Sequence, residues 1–201
     1  MTPVPPNSSA ERLRFARAWL GSPLKVAAVA PSSRALARLM TSEISASTGP
    51  VIELGPGTGP FTRAMLARGV DENDLALVEY GESFARALSS SFPKANTLCM
   101  DAAALDTVKL FDGRPAGAVV SGLPLLSMPK PQVEAILRAA FGKLAPTGAF
   151  YQFTYGPRCP VPRVVLDRLG LKAERIGGTF ANIPPAAVYR LRRVELAACE
   201  Q

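Results

Sequence analysis

Three acidic side chains stand at the ends of three successive short apolar runs in the middle of the chain. They are Glu53, Glu79 and Asp101, and Glu79 comes 26 residues after Glu53. Strands of a buried sheet seldom carry carboxylates, so this repetition indicates a binding site rather than packing. Carboxylate oxygens at strand ends accept hydrogen bonds from ribose hydroxyls or from an exocyclic amine. The three acids therefore predict a ligand that presents such groups.

Glycines follow the first of these acids. The apolar run that contains Glu53 continues as Gly55, Gly57 and Gly59, one residue apart, before a helical pattern begins. Glycine lets the backbone turn tightly and approach a ligand without a Cβ in the way. A dinucleotide-binding loop would carry its third glycine one residue later, and Glu53 would repel a nearby pyrophosphate. The loop suits a cationic ligand better than an anionic one.

Several kinds of chemistry are excluded by composition. The 201 residues contain no histidine, which excludes Ser–His and Cys–His nucleophilic systems and removes the commonest zinc ligand. Cys99, Cys159 and Cys199 show no CxxC spacing, so we expect reduced thiols and no metal site. A hydrophobic fraction of 48% without a long apolar run fits one globular domain and no membrane span.

The acids and glycines must be positioned by alternating strands and helices. Strands are predicted at 51–54, 75–79, 97–100, 116–121, 149–154, 171–179 and 187–196. Helices are predicted at 34–43, 60–68, 81–91, 103–110 and 130–144. This alternation is typical of βαβ units. We therefore predict an α/β fold with a doubly wound, mostly parallel, seven-stranded sheet, preceded by an N-terminal amphipathic helical extension.

With this arrangement, residues 48–155 resemble the class I S-adenosylmethionine-dependent methyltransferases, whose sheet is Rossmann-like. Glu53 matches the acid that faces the methionine portion of the cofactor, Glu79 the acid that binds the ribose, and Tyr80 the residue that packs on adenine. The resemblance implies S-adenosylmethionine as the cofactor, S-adenosylhomocysteine as its product, and no metal. The cofactor-binding residues that it implies are Glu53, Gly55, Pro56, Gly57, Thr58, Gly59, Glu79, Tyr80, Asp101, Ala102 and Ser121.

The segment after the fourth predicted strand bears on the methyl acceptor. Adenine N6-methyltransferases, including the ribosomal RNA adenine dimethylases, carry Asn or Asp, any residue, Pro and an aromatic residue there. This chain keeps Pro124 but has Ser121 and Gly122 before it and Leu125 after it. These residues supply neither a stacking ring nor a strong acceptor for a nucleobase amine. An adenine acceptor is therefore disfavoured.

The wider pattern resembles the small, soluble bacterial phospholipid N-methyltransferases, which convert phosphatidylethanolamine stepwise to phosphatidylcholine. Matching segments lie at 30–33, 51–59, 67–70, 78–80, 121–124, 155–157 and 182–186. The resemblance implies N-methylation of phosphatidylethanolamine and its mono- and dimethyl derivatives at the cytosolic membrane surface. Two alternatives stay open: an enzyme like the rRNA adenine N6-methyltransferases, and a non-catalytic protein that binds S-adenosylmethionine or lipid.

Candidate residues for the acceptor lie near the ends of the fourth and fifth predicted strands. Tyr151, Phe153 and Tyr155 share one side of the fifth strand, and aromatic faces attract methylated cations. We expect Tyr151 and Phe153 in the core and Tyr155 at the active edge. Predicted catalytic residues are Tyr155, Ser121 and Leu123, and predicted lipid-headgroup residues are Tyr155, Arg158 and Asn182. The alternatives are a merely solvated Arg158 and an Asn182 that only shapes its turn.

Both ends of the chain carry the positive charge. The net charge is +7, with +4 in residues 1–50, −1 in residues 51–150 and +4 in residues 151–201. A helix predicted to begin near Ser9 combines apolar, aromatic and basic side chains, as an interfacial helix requires; the alternative is a helix that simply packs on the sheet. The predicted membrane-binding residues are Arg12, Arg14, Phe15, Arg17, Trp19 and Lys25.

These features divide the chain into two parts. Residues 1–48 are predicted to form a mobile N-terminus and a helical, membrane-facing extension, and residues 49–201 a class I methyltransferase domain. We expect a phospholipid substrate, reversible binding to an anionic membrane surface, no nucleic-acid partner and a monomer. Because the first residues lack the pattern of a secretory signal, we expect a cytoplasmic protein associated peripherally with the inner face of a bacterial cell membrane.

Overall fold

The computed structural model describes residues 31–155, 158–180 and 185–194. Within these residues, seven strands form one sheet with helices on both faces. The helices are α1 (Pro31–Met40), α2 (Pro60–Leu66), α3 (Glu82–Ser91), α4 (Lys130–Lys143) and α5 (Arg163–Leu169). The strands are β1 (Val51–Leu54), β2 (Leu75–Glu79), β3 (Asn96–Cys99), β4 (Ala116–Ser121), β5 (Leu144–Tyr155), β6 (Leu171–Thr179) and β7 (Ala186–Arg193).

The strand order explains where a ligand binds. The order is β3-β2-β1-β4-β5-β7-β6, with parallel pairing from β3 to β5 and with β7 antiparallel to both of its neighbours. β6 therefore runs parallel to β5. The chain winds outward from β1 in one direction and from β4 in the other, so a crevice opens at their carboxyl ends. The predicted doubly wound, mostly parallel sheet of seven strands is confirmed.

Two apolar layers cover the two faces of the sheet, because alternate strand residues point to opposite sides. One layer lies beneath α4 and α5 and includes Ile52 and Phe150, both fully buried. The rings of Phe150 and Phe141 are stacked there, with centroids 6.2 Å apart. The other layer lies beneath α1, α2 and α3 and includes Val51 and Leu77. Each central strand is thus buried on both faces, which explains its continuous apolar sequence.

α1 packs against the sheet. Met40 and Ile44 are fully buried in the second layer. The Glu43 carboxylate that follows α1 accepts hydrogen bonds from the Tyr151 hydroxyl at 3.0 Å and from the Arg190 guanidinium at 2.8 Å. These contacts tie the start of the described chain to β5 and β7. The predicted division of the chain after residue 48 stays a prediction.

One predicted helix is wrong in type. The segment at 103–110 was expected to be an α-helix, and the structure has a 3₁₀ helix over Ala102–Thr107. The Asp101 side chain accepts a hydrogen bond from the Ala103 N–H at 2.9 Å, and the Thr107 hydroxyl donates to the Ala104 carbonyl at 2.7 Å. Such local side-chain bonds compete with the i to i−4 pattern of an α-helix.

α5 is a helix that the sequence analysis does not predict. Pro162 stands at the N-cap of α5, and Gly170 ends it with a φ of 62°. Other differences are shifts of boundaries. α1 begins and ends three residues before its predicted limits, β5 begins at Leu144, and β7 ends at Arg193.

Candidate active site

The loop after β1 turns through three glycines in the left-handed region. Gly55, Gly57 and Gly59 have φ values of 66°, 57° and 77°. A Cβ on Gly55 would lie 2.8 Å from Leu123 Cδ2, and a Cβ on Gly59 would lie 2.8 Å from Phe92 Cε2. A Cβ on Gly57 would meet no atom within 4 Å. Two of the glycines therefore permit close packing, and the middle one leaves its backbone open to a ligand.

Glu79 joins this loop to the loop after β2. Its Oε2 accepts a hydrogen bond from the Gly57 N–H at 3.1 Å, and its Oε1 accepts one from the Gly81 N–H at 2.9 Å. The side chain is only 9% exposed. A carboxylate held between two backbone donors has a fixed position, and its remaining lone pairs can accept further hydrogen bonds from a ligand.

Glu53 is fully buried at the end of β1. Its Oε2 accepts a hydrogen bond from the Thr62 hydroxyl at 2.5 Å, and its Oε1 has no partner among the described residues. Burial raises the pKa of Glu53 to about 8, although the hydrogen bonds with Thr62 partly oppose this. An unpartnered buried carboxyl oxygen is costly, and a cationic group that reached it would favour the charged carboxylate and lower this raised pKa.

The far end of the crevice is formed by residues after β2 and β3. Tyr80 follows Glu79 and is 44% exposed, which leaves its ring available for stacking. Asp101 caps the 3₁₀ helix through Oδ1, and Ala102 is nearly buried beside it. Cys99, at the end of β3, has an exposed thiol that lies 3.9 Å from the Tyr80 carbonyl oxygen. A flat base with an exocyclic amine fits this set of groups.

The turn after β4 is closely packed against the glycine loop. Ser121 is fully buried, and its Oγ accepts a hydrogen bond from the Leu123 N–H at 3.3 Å. The Gly122 N–H donates to the Leu54 carbonyl at 2.8 Å. Leu123 is half-buried against Gly55. Ser121 therefore shapes this turn, while Leu123 lies at the junction of the two loops.

Aromatic rings line the carboxyl end of β5. Phe61, in the first turn of α2, meets Phe153 edge to face at 6.0 Å, and Phe153 meets Tyr155 in the same way at 5.5 Å. Tyr151 is buried, as expected, and bonds to Glu43, while burial raises its pKa to about 12. Tyr155 is half-buried at the edge, and burial also raises its pKa. Both phenols are thus neutral at physiological pH.

Known proteins resemble this chain in sequence and in fold. No family model matches the chain. An ornithine lipid N-methyltransferase from Singulisphaera acidiphila is 32% identical over 177 residues, which cover 85% of this chain and 90% of that protein. The chain belongs to the same methyltransferase family as this enzyme.

Solved structures of low sequence identity share the fold. A TehB-like SAM-dependent methyltransferase from Corynebacterium glutamicum aligns over 93% of this chain and all of its own, with a TM-score of 0.60 and 16% identity. A 1,6-didemethyltoxoflavin-N1-methyltransferase from Burkholderia thailandensis, with S-adenosylhomocysteine bound, aligns over 96% of this chain and 94% of its own, with a TM-score of 0.67 and 12% identity. The predicted fold and its cofactor, S-adenosylmethionine, are confirmed.

The structure of this methyltransferase brings most of the predicted cofactor residues to one crevice. Glu53 and Glu79 lie at the carboxyl ends of β1 and β2, while the glycine loop with Pro56 and Thr58 follows β1 and Asp101 follows β3. Arg158 is exposed beyond the end of β5. Asn182 and all six predicted membrane-binding residues lie outside the described residues.

Sequence reasoning missed Gln152 of this methyltransferase. Gln152 is 1% exposed, and its Nε2 donates to the Leu123 carbonyl at 2.9 Å and to the Phe153 carbonyl at 2.8 Å. Its Oε1 has no partner among the described residues. Gln152 also lies opposite Ser121 in the register of β4 and β5. The available signal was an amide between Tyr151 and Phe153 in an otherwise apolar strand.

The part of the chain that the structure describes contains neither a cluster of metal ligands nor a membrane-spanning helix. There, no three Asp, Glu, Cys or His side chains converge as a metal site would require. No described helix combines the length and the hydropathy that crossing a bilayer requires.

Proposed function

We propose that the protein transfers methyl groups from S-adenosylmethionine to the amine of a membrane lipid. Phosphatidylethanolamine and its mono- and dimethyl derivatives are the first candidate acceptors, and phosphatidylcholine is the end product. The observation that carries the proposal is the 32% identity to an ornithine lipid N-methyltransferase along 85% of the chain. The segments shared with phospholipid N-methyltransferases support phosphatidylethanolamine in particular.

The residues of the crevice fit the cofactor. Glu79 would accept the ribose hydroxyls, and Tyr80 would stack on the adenine while Asp101 accepts from its exocyclic amine. The unpartnered Oε1 of Glu53 supports a cationic group of the cofactor near this side chain. Once bound, S-adenosylmethionine supplies a methyl group on a positively charged sulfur, which is electrophilic without help from a metal.

The acceptor amine must lose its proton before it can attack. A lysine-like ammonium has a pKa of about 10.4 in water, and a desolvated site lowers that pKa. Burial raises the pKa of Tyr155 and keeps its phenol protonated, so Tyr155 does not accept this proton and a carboxylate or water takes it. Once neutral, the amine would be able to take the methyl group that S-adenosylmethionine, held by the residues of the crevice, would supply.

The aromatic row of Phe61, Phe153 and Tyr155 suits the products of each step. Every methylation turns the acceptor into a bulkier and less hydrated cation, and such cations bind to aromatic faces within about 6 Å. Tyr155 stands at the end of this row and is half-buried. We assign Tyr155 to the methylated amine.

A second acceptor is favoured by a specific observation. The relative at 32% identity is named for ornithine lipid rather than for phosphatidylethanolamine. Both lipids present an amine close to an anionic group, a phosphate in one and a carboxylate in the other. An arginine binds either anion through paired hydrogen bonds. The exposed Arg158 is thus compatible with both headgroups, and acceptor assays must separate them.

The alternatives from other classes receive less support. An adenine methyltransferase needs an aromatic ring after Pro124, and Leu125 at this position is only 2% exposed, so it cannot stack on a base. A non-catalytic protein that binds S-adenosylmethionine would keep the crevice but transfer no methyl group. We also propose a monomer that binds the inner face of the cell membrane reversibly, through the charge at its ends.

Methyl transfer to defined acceptors tests the proposal. The full-length protein is incubated with methyl-labelled S-adenosylmethionine and, in parallel, with vesicles of phosphatidylethanolamine, vesicles of ornithine lipid, or ribosomal RNA. We expect label in mono-, di- or trimethylated lipid. Label in RNA alone, or in none of the acceptors despite cofactor binding by calorimetry, would overturn the proposal. A Tyr155→Ala variant should lose most activity at unchanged cofactor affinity, whereas Tyr155→Phe should keep most of it.

A further inference from the structure

A few large apolar side chains escape the two core layers. Among the described residues they are Tyr80, Leu126, Val164, Phe180 and Val194. Tyr80 belongs to the cofactor crevice. Leu126, Val164 and Phe180 are 66%, 49% and 87% exposed, and their position in the fold gives them a common feature.

These three residues follow the carboxyl ends of three parallel strands. Leu126 lies in the 3₁₀ helix after β4, Val164 in the first turn of α5 after β5, and Phe180 directly after β6. The strand order β4-β5-β7-β6 places these ends along one edge of the sheet. Three strand spacings separate β4 from β6, or about 14 Å. We call Leu126, Val164 and Phe180 the apolar rim.

Basic side chains stand among the residues of the apolar rim. Lys130 at the start of α4, Arg158 and Arg163 are all exposed. Two acids in the same region are paired: Asp167 with Arg163 at 3.0 Å, and Glu134 with Arg168 at 2.6 Å. The edge therefore presents separate apolar side chains with an excess of positive charge. This combination is typical of surfaces that rest on anionic lipid, where apolar groups enter the interface and basic groups meet the phosphates.

We propose that the apolar rim is a membrane-contact surface that binds an anionic bilayer and places the carboxyl edge of the sheet against it. The inference rests on the proposed lipid acceptor, whose amine lies at the headgroup level and must reach the end of β4. Leu126 follows the turn of Ser121 and Leu123 by a few residues, so contact there brings that turn to the lipid. This surface is additional to the N-terminal residues predicted to bind membranes.

Vesicle flotation with the full-length chain tests the apolar rim. The probe is vesicles of phosphatidylethanolamine and phosphatidylglycerol in equal amounts. The variant Leu126→Ser, Val164→Ser, Phe180→Ser should need at least tenfold more lipid for half-maximal binding. Val194→Ser is the matched control, because Val194 is 50% exposed at the opposite edge, beside the start of β6. It should bind within twofold of the wild type, and both variants should keep the wild-type affinity for S-adenosylmethionine.

A fluorescence experiment tests the apolar rim without the triple variant, in case that variant does not fold. Trp19 is the one tryptophan of the chain, so Phe180→Trp in a Trp19→Phe background reports on the rim alone. Its emission should shift to the blue when the anionic vesicles are added. Unchanged emission together with unchanged flotation of the triple variant would overturn the inference. So would a rim substitution that abolishes self-association in ultracentrifugation while vesicle binding stays intact, since the rim would then be a protein interface.

Failure of the rim and failure of the proposed function give different results. If the wild type methylates lipid and the triple variant binds vesicles normally, the inference about the apolar rim is wrong and the proposed function stands. If rim substitutions weaken vesicle binding but no lipid is ever methylated, the rim stands and the function is wrong. With lipid dispersed in detergent, the triple variant should methylate at a rate within twofold of the wild type, because no bilayer has to be approached.

Discussion

At the scale of the residue, the Glu79 carboxylate has a structural role and an expected role in cofactor binding. It holds the Gly57 and Gly81 N–H groups and is expected to accept the ribose hydroxyls. Glu79→Ala removes both, and hydrogen bonds to a charged group are worth about 1.5–3 kcal/mol each. We expect the affinity for S-adenosylmethionine, measured by calorimetry, to fall about a hundredfold or more.

The control for that experiment is Glu82→Ala. Glu82 begins α3 only three residues later, and its carboxylate is exposed and paired with Arg86. Its loss should leave the affinity within about twofold, because exposed ion pairs contribute little. Equal losses for Glu79→Ala and Glu82→Ala would show that the ribose site is elsewhere.

Glu53 makes stability depend on pH. Its pKa is about 8 in the folded protein, raised by burial from 4.5, so the folded state binds a proton that the unfolded state releases. This stabilisation is complete below about pH 4.5 and is lost as the pH rises to about 8, with a slope near 1.4 kcal/mol per pH unit. Chemical unfolding of the cofactor-free protein at several pH values should show the decline, and Glu53→Gln should remove it. A variant with the same decline would contradict the assignment.

Single residues also show the limits of sequence reasoning. Glu53, Glu79 and Asp101 were found because an acid at a strand end conflicts with burial, and this conflict is visible in the sequence. Gln152 donates one hydrogen bond from β5 to the Leu123 carbonyl in the turn after β4. Such a contact depends on the register of β4 and β5. The burial of Ser121 was likewise hidden, since a serine suits both a surface and a turn.

At the scale of the element, two loops touch where the glycine loop meets the turn after β4. A Cβ on Gly122 would lie 2.6 Å from the Gly55 carbonyl oxygen, and backbone at this distance must move. Gly122→Ala should therefore destabilise the fold by about 2 kcal/mol and weaken cofactor binding. Gly142 lies in α4, and a Cβ added there would meet no atom within 4 Å. Gly142→Ala should therefore stabilise the fold by about 0.5–1 kcal/mol. Thermal unfolding of both variants measures the contrast, and equal shifts would contradict it.

Elements differ in how clearly the sequence predicts them. β1, β2 and β4 have their predicted bounds, because apolar runs flanked by Gly, Pro or acidic residues leave little choice. β6 also has its predicted bounds, although its sequence is mixed in polarity. The Ala102–Thr107 segment and α5 were harder. In the first segment, hydrogen bonds of the Asp101 and Thr107 side chains to nearby backbone groups replace the α-helical pattern. In α5, Pro162 occupies the N-cap position at the start of the helix and does not prevent helix formation.

At the scale of the whole molecule, cofactor binding and membrane binding are expected to separate. Replacing Phe15 and Trp19 together by Ser removes two aromatic anchors of the predicted interfacial helix. We expect flotation with phosphatidylglycerol vesicles to fall severalfold, while the affinity for S-adenosylmethionine stays within twofold, since the predicted cofactor residues all lie between 53 and 121. Unchanged flotation would mean that the helix only packs on the protein.

The exposed thiol of Cys99 makes the cofactor crevice accessible to a chemical label. Cys99 lies two residues before Asp101 and next to the Tyr80 carbonyl, whereas burial raises the pKa of Cys159 and slows its reaction with alkylating reagents. A maleimide dye on Cys99 would stand beside the expected adenine position. In a chain with Cys159→Ser and Cys199→Ser, the brightness of that dye would follow cofactor arrival and departure in real time, so the order of product release and lipid exchange becomes measurable.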